Sequence, residues 1–315
     1  SDGQREHALE RAPVCVPFDT GLRAINALMT VGVGQRIGIM AGSGVGKSVL
    51  IEMIAAGSQA DVVVVGLIGE RAREVSDFVA RHMRGDSAGK TTIVAVPADH
   101  APNLRLRAAR LATGMAEFHR SQGKRVLLII DSLTRIAHAA REIALLLGEP
   151  GAARGYPPSA LATITRLVER SGNSARSGGA VTGIYTVLAD GDDHNDPVID
   201  TARAIMDGHI VLNRDLARRG QYPAIDVPAS LSRVMDDIVS PDQQADARML
   251  RNMIATCEAN RDLVMMGAYQ PGTDPVLDRA LAMQDAIRDF IGQDRKERVP
   301  LPQSVAQLNN LLADE

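Results

Sequence analysis

The sequence predicts an α/β fold, a mainly parallel sheet covered by helices on both faces, followed by a smaller all-helical C-terminal domain. Three observations predict it. Nearly all-apolar, β-branched runs alternate with helical patterns from Gln35 onward, one strand–helix junction is a glycine-rich loop, and strand signals stop after Pro241. Strands apolar on both faces suit a covered parallel sheet, and their alternation with helices suits βαβ crossovers.

The expected strands are 36–40, 62–68, 92–96, 126–130, 182–188 and 210–212. The expected helices between them are 47–56, 72–83, 104–121, 133–147 and 159–170. In 104–121, Leu104, Ala108, Leu111, Ala112, Met115 and Phe118 recur at helical spacing, which marks them as the inward face and turns Arg105, Arg107 and Arg110 elsewhere. Residues 1–22 read as an irregular leader, 23–240 as the α/β domain and 241–315 as the helical domain. Within the last, 252–263 and 276–291 read as amphipathic helices around 268–274, and 299–312 as a shorter helix packed at the end.

Composition narrows the class. The chain has 315 residues, 45% of them apolar and 23% charged, which supports a filled globular core. A net charge of −3 argues against a nonspecific nucleic-acid binder. Cys15 and Cys257 are two unclustered thiols, which fit a reducing cytoplasm and offer no metal framework. No apolar run approaches the ~20 residues that span a bilayer, and the polar start is no signal peptide. These features predict a soluble, cytoplasmic protein.

The segment Ala41-Gly42-Ser43-Gly44-Val45-Gly46-Lys47-Ser48-Val49 follows an apolar strand and opens a helix. Glycines let backbone N–H groups turn inward around phosphate oxygens, and the helix start adds partial positive charge. Lys47 is expected to reach the β- and γ-phosphates and Ser48 to offer its hydroxyl to Mg²⁺. Ala41 stands where the pattern usually starts with Gly. The run 126–130 ends in Asp131, placed to hold a Mg²⁺-bound water. Glu70 follows the run 62–68, and a carboxylate at a strand end beside the loop can polarise an attacking water. Glu74 is the competitor, read as a surface partner of a nearby Arg. For Arg71 two readings stand, a contact to phosphate or to Glu70, and a solvated salt bridge.

Longer strings carry a resemblance. Gly42–Ser48, Leu67-Ile68-Gly69-Glu70-Arg71-Ala72-Arg73-Glu74-Val75, Asp131-Ser132-Leu133-Thr134-Arg135 and the run 148–159 occur in order, followed by Tyr222-Pro223-Ala224-Ile225-Asp226 and Ser230-Leu231-Ser232-Arg233-Val234-Met235. From Arg11 to about Asp294 the chain resembles the type III secretion ATPases and their flagellar export relatives. These are similar in turn to the catalytic subunit of rotary ATP synthases. The resemblance implies a RecA-like P-loop NTPase that binds ATP with Mg²⁺ and powers protein export, releasing chaperones and unfolding substrates.

It further implies a homohexameric ring with ATP sites between subunits. Tyr222 matches the aromatic that packs on adenine, and Arg233 matches the arginine finger reaching a neighbour's γ-phosphate. Implied partners are a central stalk, a peripheral stator, export chaperones, secreted substrates and the inner-membrane export gate, with no nucleic acid. The loop 148–159, with Arg154 and Tyr156, would line the ring's hole. The acidic loop 190–197, with His194, would pair with a stalk or an adjacent subunit. Ala72 departs from the relatives' usual Gly or Thr. About 25 residues precede the nucleotide domain, too few for the relatives' N-terminal β-barrel. A shortened, monomeric, weakly active chain is therefore expected. A Rho-like translocase and a noncatalytic ring subunit are the alternatives, and the resemblance leans towards a virulence system over a flagellar one.

Overall fold

The computed structural model describes residues 8–82, 88–188 and 196–313. Seven strands form the main path of one sheet: β1 Arg36–Ala41, β2 Val62–Ile68, β3 Thr91–Val96, β4 Arg125–Asp131, β5 Ala180–Leu188, β6 Gly208–Leu212 and β7 Ile225–Ser232. Their order is β7-β6-β1-β5-β4-β2-β3. All neighbours run parallel except β6 and β7. The short strands Arg11–Ala12 and Gly172–Ser174 join off this path.

The helices over the sheet are α1 Arg23–Leu28, α2 Lys47–Gly57, α3 Ala72–His82, α4 Pro102–Ser121, α5 Leu133–Leu146, α6 Pro158–Val168 and α7 Pro197–Ile205. Successive strand residues point to opposite faces, so the sheet feeds two cores. Ile37, Ile39, Val63, Val65, Leu127 and Ile129 face the core that holds α1 and α2. Met40, Val64, Ile68, Leu128, Ile130 and Tyr185 face the core under α4, α5, α6 and α7.

All six expected strands form, and on the main path of the sheet β7 is the one not expected. It pairs on one side only, with β6, so Pro228 costs it no ladder bond that a central strand would need. That proline and two serines hide its alternation from a reading of apolar runs.

The inward face of α4 is the expected one only in part, through Ala108, Ala112 and Met115. Leu104, Leu111 and Phe118 are exposed, at 42%, 55% and 58%, while Ala108, Ala109, Ala112, Thr113 and Ala116 are buried. The helix lies too close to the sheet for large side chains. A Cβ on Gly66 of β2 would come within 3.3 Å of the Ala112 Cβ. Arg105, expected outward, is buried and pairs with Glu142 of α5 at 3.2 Å. Small-residue packing set the face here, against the hydrophobic ranking.

After Pro241 the chain is helical: α8 Pro241–Ala259, α9 Arg261–Met265, α10 Pro275–Ala282, α11 Gln284–Ile291 and α12 Leu301–Ala313. α8 starts earlier than expected, where Ser240 accepts from the Gln243 N–H at 3.2 Å. The expected helix 276–291 is two helices that meet at Met283. α1 packs on α8, α11 and α12. Polar bonds stitch this contact: Asn26 donates to Asp19 at 2.8 Å, Asp19 accepts from the Leu301 N–H at 3.0 Å, and Gln243 donates to the Asn26 carbonyl at 3.2 Å.

In the loop before α6, Tyr156 does not line an open surface. It is buried, stacked on His138 with Arg141 over its ring. Arg154 is exposed with φ of +49°. The acidic loop with His194 lies, apart from Asp196 and Pro197, outside the described residues. Among the described residues no helix is long and apolar enough to cross a membrane.

Glu117 of α4 and Arg170, just past α6, form a buried pair with both side chains 8% exposed and Nε–Oε1 at 2.8 Å. Removing one partner strands the other charge. Glu117→Leu is therefore expected to cost ~3 kcal/mol, and Glu117→Leu with Arg170→Met to recover most of it. Urea denaturation of the three proteins checks this, and a double variant no more stable than Glu117→Leu contradicts it.

Candidate nucleotide-binding site

β1 delivers the glycine loop, ending at Ala41 before α2 opens at Lys47. Gly44 and Gly46 have φ of +78° and +92°, a region that side chains resist. Gly42 and Val45 are buried, Ser43 is exposed, and Ser48 and Val49 are half-buried at the helix start. Gly46 is the N-cap of α2 and supplies no side chain to the first N–H groups. Those groups and the positive helix end are left for an anion.

Sheet order separates the key strands. β5 lies between β1 and β4, so their ends stand two strands apart, roughly 10 Å. The Lys47 stem spans the gap. Its Nζ lies 2.5 Å from Asp131 Oδ1 and 3.4 Å from Glu70 Oε1. Thr186, on the intervening β5, donates to the same Asp131 oxygen at 2.6 Å. Burial works against the Lys47 charge, but Asp131 and Glu70 outweigh it and raise its pKa.

Glu70 is aimed by Gly69, whose φ is +75°. A Cβ on Gly69 would sit 2.8 Å from the Arg135 Cβ, so no larger residue makes this turn without displacing α5. Burial first, then the Asp131 charge, lift the Glu70 carboxyl to about 7, against the pull of Lys47. A hydrogen bond with Glu74 adds to the rise.

Arg71 is not brought to this cluster. Its side chain is 85% exposed and faces Glu74 at 3.7 Å, the solvated pair that was its alternative reading. Tyr222 is brought to the loop. Two of its ring carbons lie 3.4 Å from the place a Gly46 Cβ would occupy, and it is half exposed. Beside it opens a cavity of about 500 Å³ lined by Arg23, Arg219, Tyr222, Arg288 and Asp294.

Arg233 is placed at the other edge of the sheet. Ser232 pairs with Gly208 at the start of β6, whereas Leu212 at its end pairs with Ala41 beside the loop. Four residues of strand, about 13 Å, separate the two levels. Arg233 therefore does not serve the loop of its own chain.

Ser48 and Glu52 of α2, Glu74 and Arg81 of α3, and Glu70 and Asp131 at strand ends line a cavity of about 80 Å³. Carboxylates dominate its polar lining, Ile51, Leu67, Val75 and Phe78 supply an apolar side, and it has room for several waters. A hydroxyl, a carboxylate and waters beside a phosphate cradle suit Mg²⁺ carried by a nucleotide. Among the described residues no cluster of His, Cys, Asp and Glu forms a metal cage of its own.

Two members of the site went unread in the sequence. Thr186 is one polar residue in an apolar strand, and that polarity was its only signal. Glu52 is buried on α2, held by Arg81 at 2.6 Å and by Arg295. A charge on an otherwise apolar helix face was the sign.

A carboxyl whose pKa rises on folding binds its proton more tightly folded than unfolded. The stability of the nucleotide-free protein therefore falls as pH rises from about 4.5 to about 7 and levels above that. Glu70→Gln is expected to remove this slope, a change of order 1–3 kcal/mol between about pH 5 and about pH 8. Urea midpoints at both pH values test it, and an unchanged slope contradicts it.

Comparison with known proteins gives the family. Residues 21–232 match the ATP synthase alpha/beta family nucleotide-binding domain, and residues 239–310 match the T3SS EscN ATPase C-terminal domain. A flagellum-specific ATP synthase of Pseudomonas aeruginosa is 49% identical over 99% of this chain and 69% of its own length. A type 3 secretion system ATPase of Xanthomonas euvesicatoria is 47% identical over 88% of this chain and 62% of its own length. The assembled ATPase EscN of enteropathogenic E. coli superposes with a TM-score of 0.94 at 42% identity, covering 99% of this chain and 76% of that one. This chain thus spans about two thirds of the length of such relatives. It belongs to the ATP synthase alpha/beta family of nucleotide-binding proteins, on the branch shared by flagellum-specific and type III secretion ATPases.

Proposed function

We propose that this chain hydrolyses ATP with Mg²⁺ to drive protein export. The carrying observation is Lys47 held between Asp131 and Glu70 beside an open glycine loop. A lysine, a buried strand-end carboxylate and a second carboxylate of raised pKa are the parts that phosphoryl transfer to water needs.

The loop N–H groups and Lys47 bind and orient the β- and γ-phosphates. Ser48 and Asp131 would hold Mg²⁺, which neutralises charge on the phosphate oxygens when bound. As Lys47 turns to phosphate, Asp131 is freed for that task, and Thr186 keeps its carboxylate in place. Glu70 accepts a proton from the attacking water at a carboxylate oxygen, and a pKa of about 7 suits a base that must gain and lose a proton near neutrality. Tyr222 stacks on the adenine. Arg233, unable to reach its own loop, completes the site of a neighbouring copy.

Support for that assembly comes from relatives. EscN has been solved assembled and in complex with its central stalk EscO. For this chain the same reading gives a homohexamer at the cytoplasmic side of an export gate, with stalk, stator, chaperones and secreted substrates as partners. Identities of 49% to a flagellum-specific relative and 47% to a type 3 secretion one are nearly equal, so export is the shared reading carried forward.

ATP hydrolysis measured against protein concentration tests the proposal. Specific activity is expected to climb steeply with concentration, and Arg233→Ala to abolish the climb with a loss of roughly 10³ or more. Glu70→Gln is expected to lower turnover by roughly 10²–10⁴ while nucleotide binding survives. Flat specific activity, or full activity of Glu70→Gln, contradicts it. Tyr222→Ala is expected to weaken nucleotide binding by about tenfold and Tyr222→Phe to leave it unchanged, since a stacked ring contributes ~1–3 kcal/mol. Equal affinities for both variants would remove Tyr222 from the site.

A further inference from the structure

A second cationic cluster lies at the strand-start edge of β6. It joins Arg203 in the last turn of α7, His209 on β6 and Arg233 just past β7. The Arg233 Nη2 donates to the Arg203 carbonyl at 3.3 Å. Burial, then the charges of Arg203 and Arg233, push the His209 imidazole below its ordinary range. The neutral ring donates from Nε2 to the Ala229 carbonyl at 3.1 Å and adds no charge of its own at neutral pH.

Among the described residues no counter-ion accompanies this pair. Among the described residues neither Arg203 nor Arg233 forms an ion pair. Asp207, between Arg203 and His209 in the chain, is taken by Arg36 through contacts of 3.0 and 3.1 Å, and Asp236, three residues past Arg233, by Arg248 at 2.9 Å. The Nε of Arg203 is buried and has no acceptor. Two guanidinium groups grouped around one imidazole repel each other until an anion joins them. A buried N–H donor without an acceptor is likewise an incomplete contact. One tetrahedral anion with several acceptor oxygens would relieve the repulsion between the two guanidinium groups.

We propose that Arg203 is a second catalytic cation beside Arg233, and that the two together take the terminal phosphate of a nucleotide bound by a neighbouring copy. This rests on the reading above, in which sites are shared between copies. The two residues divide the work. The Arg203 carbonyl holds the Arg233 guanidinium on α7 and leaves its other N–H groups free for oxygens. The Arg203 guanidinium brings the second charge, and its planar fork is what a lysine would lack.

Mixed assemblies of the chain test this, with ATP at saturation and phosphate release as the readout. Arg203→Ala, Arg233→Ala and Lys47→Ala are each expected to fall at least about a hundredfold below wild type. Lys47→Ala cannot use its own loop but still lends its arginines. Mixed one to one with Lys47→Ala, Arg203→Ala is expected to recover up to about a quarter of wild-type turnover, since half the loops are intact and half of their neighbours are complete. Arg233→Ala with Lys47→Ala is expected to do the same. Recovery with Arg233→Ala but not with Arg203→Ala overturns the role of Arg203 and leaves the shared site standing. No recovery in either mixture overturns the shared site itself, and the proposal with it. Wild-type turnover of Arg203→Ala alone also overturns it. If Arg203→Ala melts well below wild type, Arg203→Lys keeps the stem and charge. It is expected to melt normally, lose about tenfold, and regain turnover only in the mixture; undiminished turnover of Arg203→Lys and Arg203→Gln overturns the proposal.

Discussion

One buried ammonium group governs this molecule. Lys47 sits at the start of α2 with its side chain 10% exposed, and such a charge needs anions around it. Asp131 and Glu70 supply them, and they do so because β4 and β2 end at the level of the glycine loop. Strand order decides the geometry. With β5 between β1 and β4, only a long side chain bridges the two ends, and β5 itself contributes Thr186 to steady the far carboxylate. In the proposed mechanism a polyphosphate offers Lys47 other anions, so binding would exchange its partners and release both carboxylates for metal and water.

α2 must stay still while that exchange occurs, and the fold grips it along its length. Near its C-terminus the Gly57 carbonyl accepts from Arg298 at 2.6 Å and the Ser58 carbonyl from Lys90 at 3.1 Å. Cations at a helix C-terminus complement its dipole. Midway, Glu52 ties the helix to α3 through Arg81 and to the chain beyond α11 through Arg295. The same stretch reaches the aromatic as well, since the Gln293 N–H donates to the Tyr222 carbonyl at 3.0 Å. The helical C-terminal part is thus bonded both to the phosphate helix and to the residue proposed to carry adenine. Movement there has direct physical contacts through which to act on the site.

Much of this was legible in the sequence where local chemistry and the fold agree. A glycine loop between an apolar strand and a helix has few uses, and Asp131 and Glu70 follow runs whose parallel pairing brings their ends together. What stayed hidden depended on distance of approach. The face of α4 is set by how near Gly66 lets it come, so alanines rank above leucines there. Pro228 disguised β7 because an edge strand tolerates what a central strand does not. Arg71 belongs to a recognisable string, yet its side chain turns to solvent. Arg203 carried no signal at all, since the role proposed for it rests on the lack of an ion pair among the described residues and not on its neighbours along the chain.

The affinity of ATP for Asp131→Asn without magnesium tests the partner exchange most directly. The neutral amide of that variant would neither repel phosphate nor compete for the Lys47 ammonium. Magnesium-free ATP is therefore expected to bind the variant a few-fold more tightly than wild type, about 1 kcal/mol, with the gain from magnesium lost. Magnesium-free binding that is equal to or weaker than wild type would contradict a lysine that trades carboxylates for phosphate.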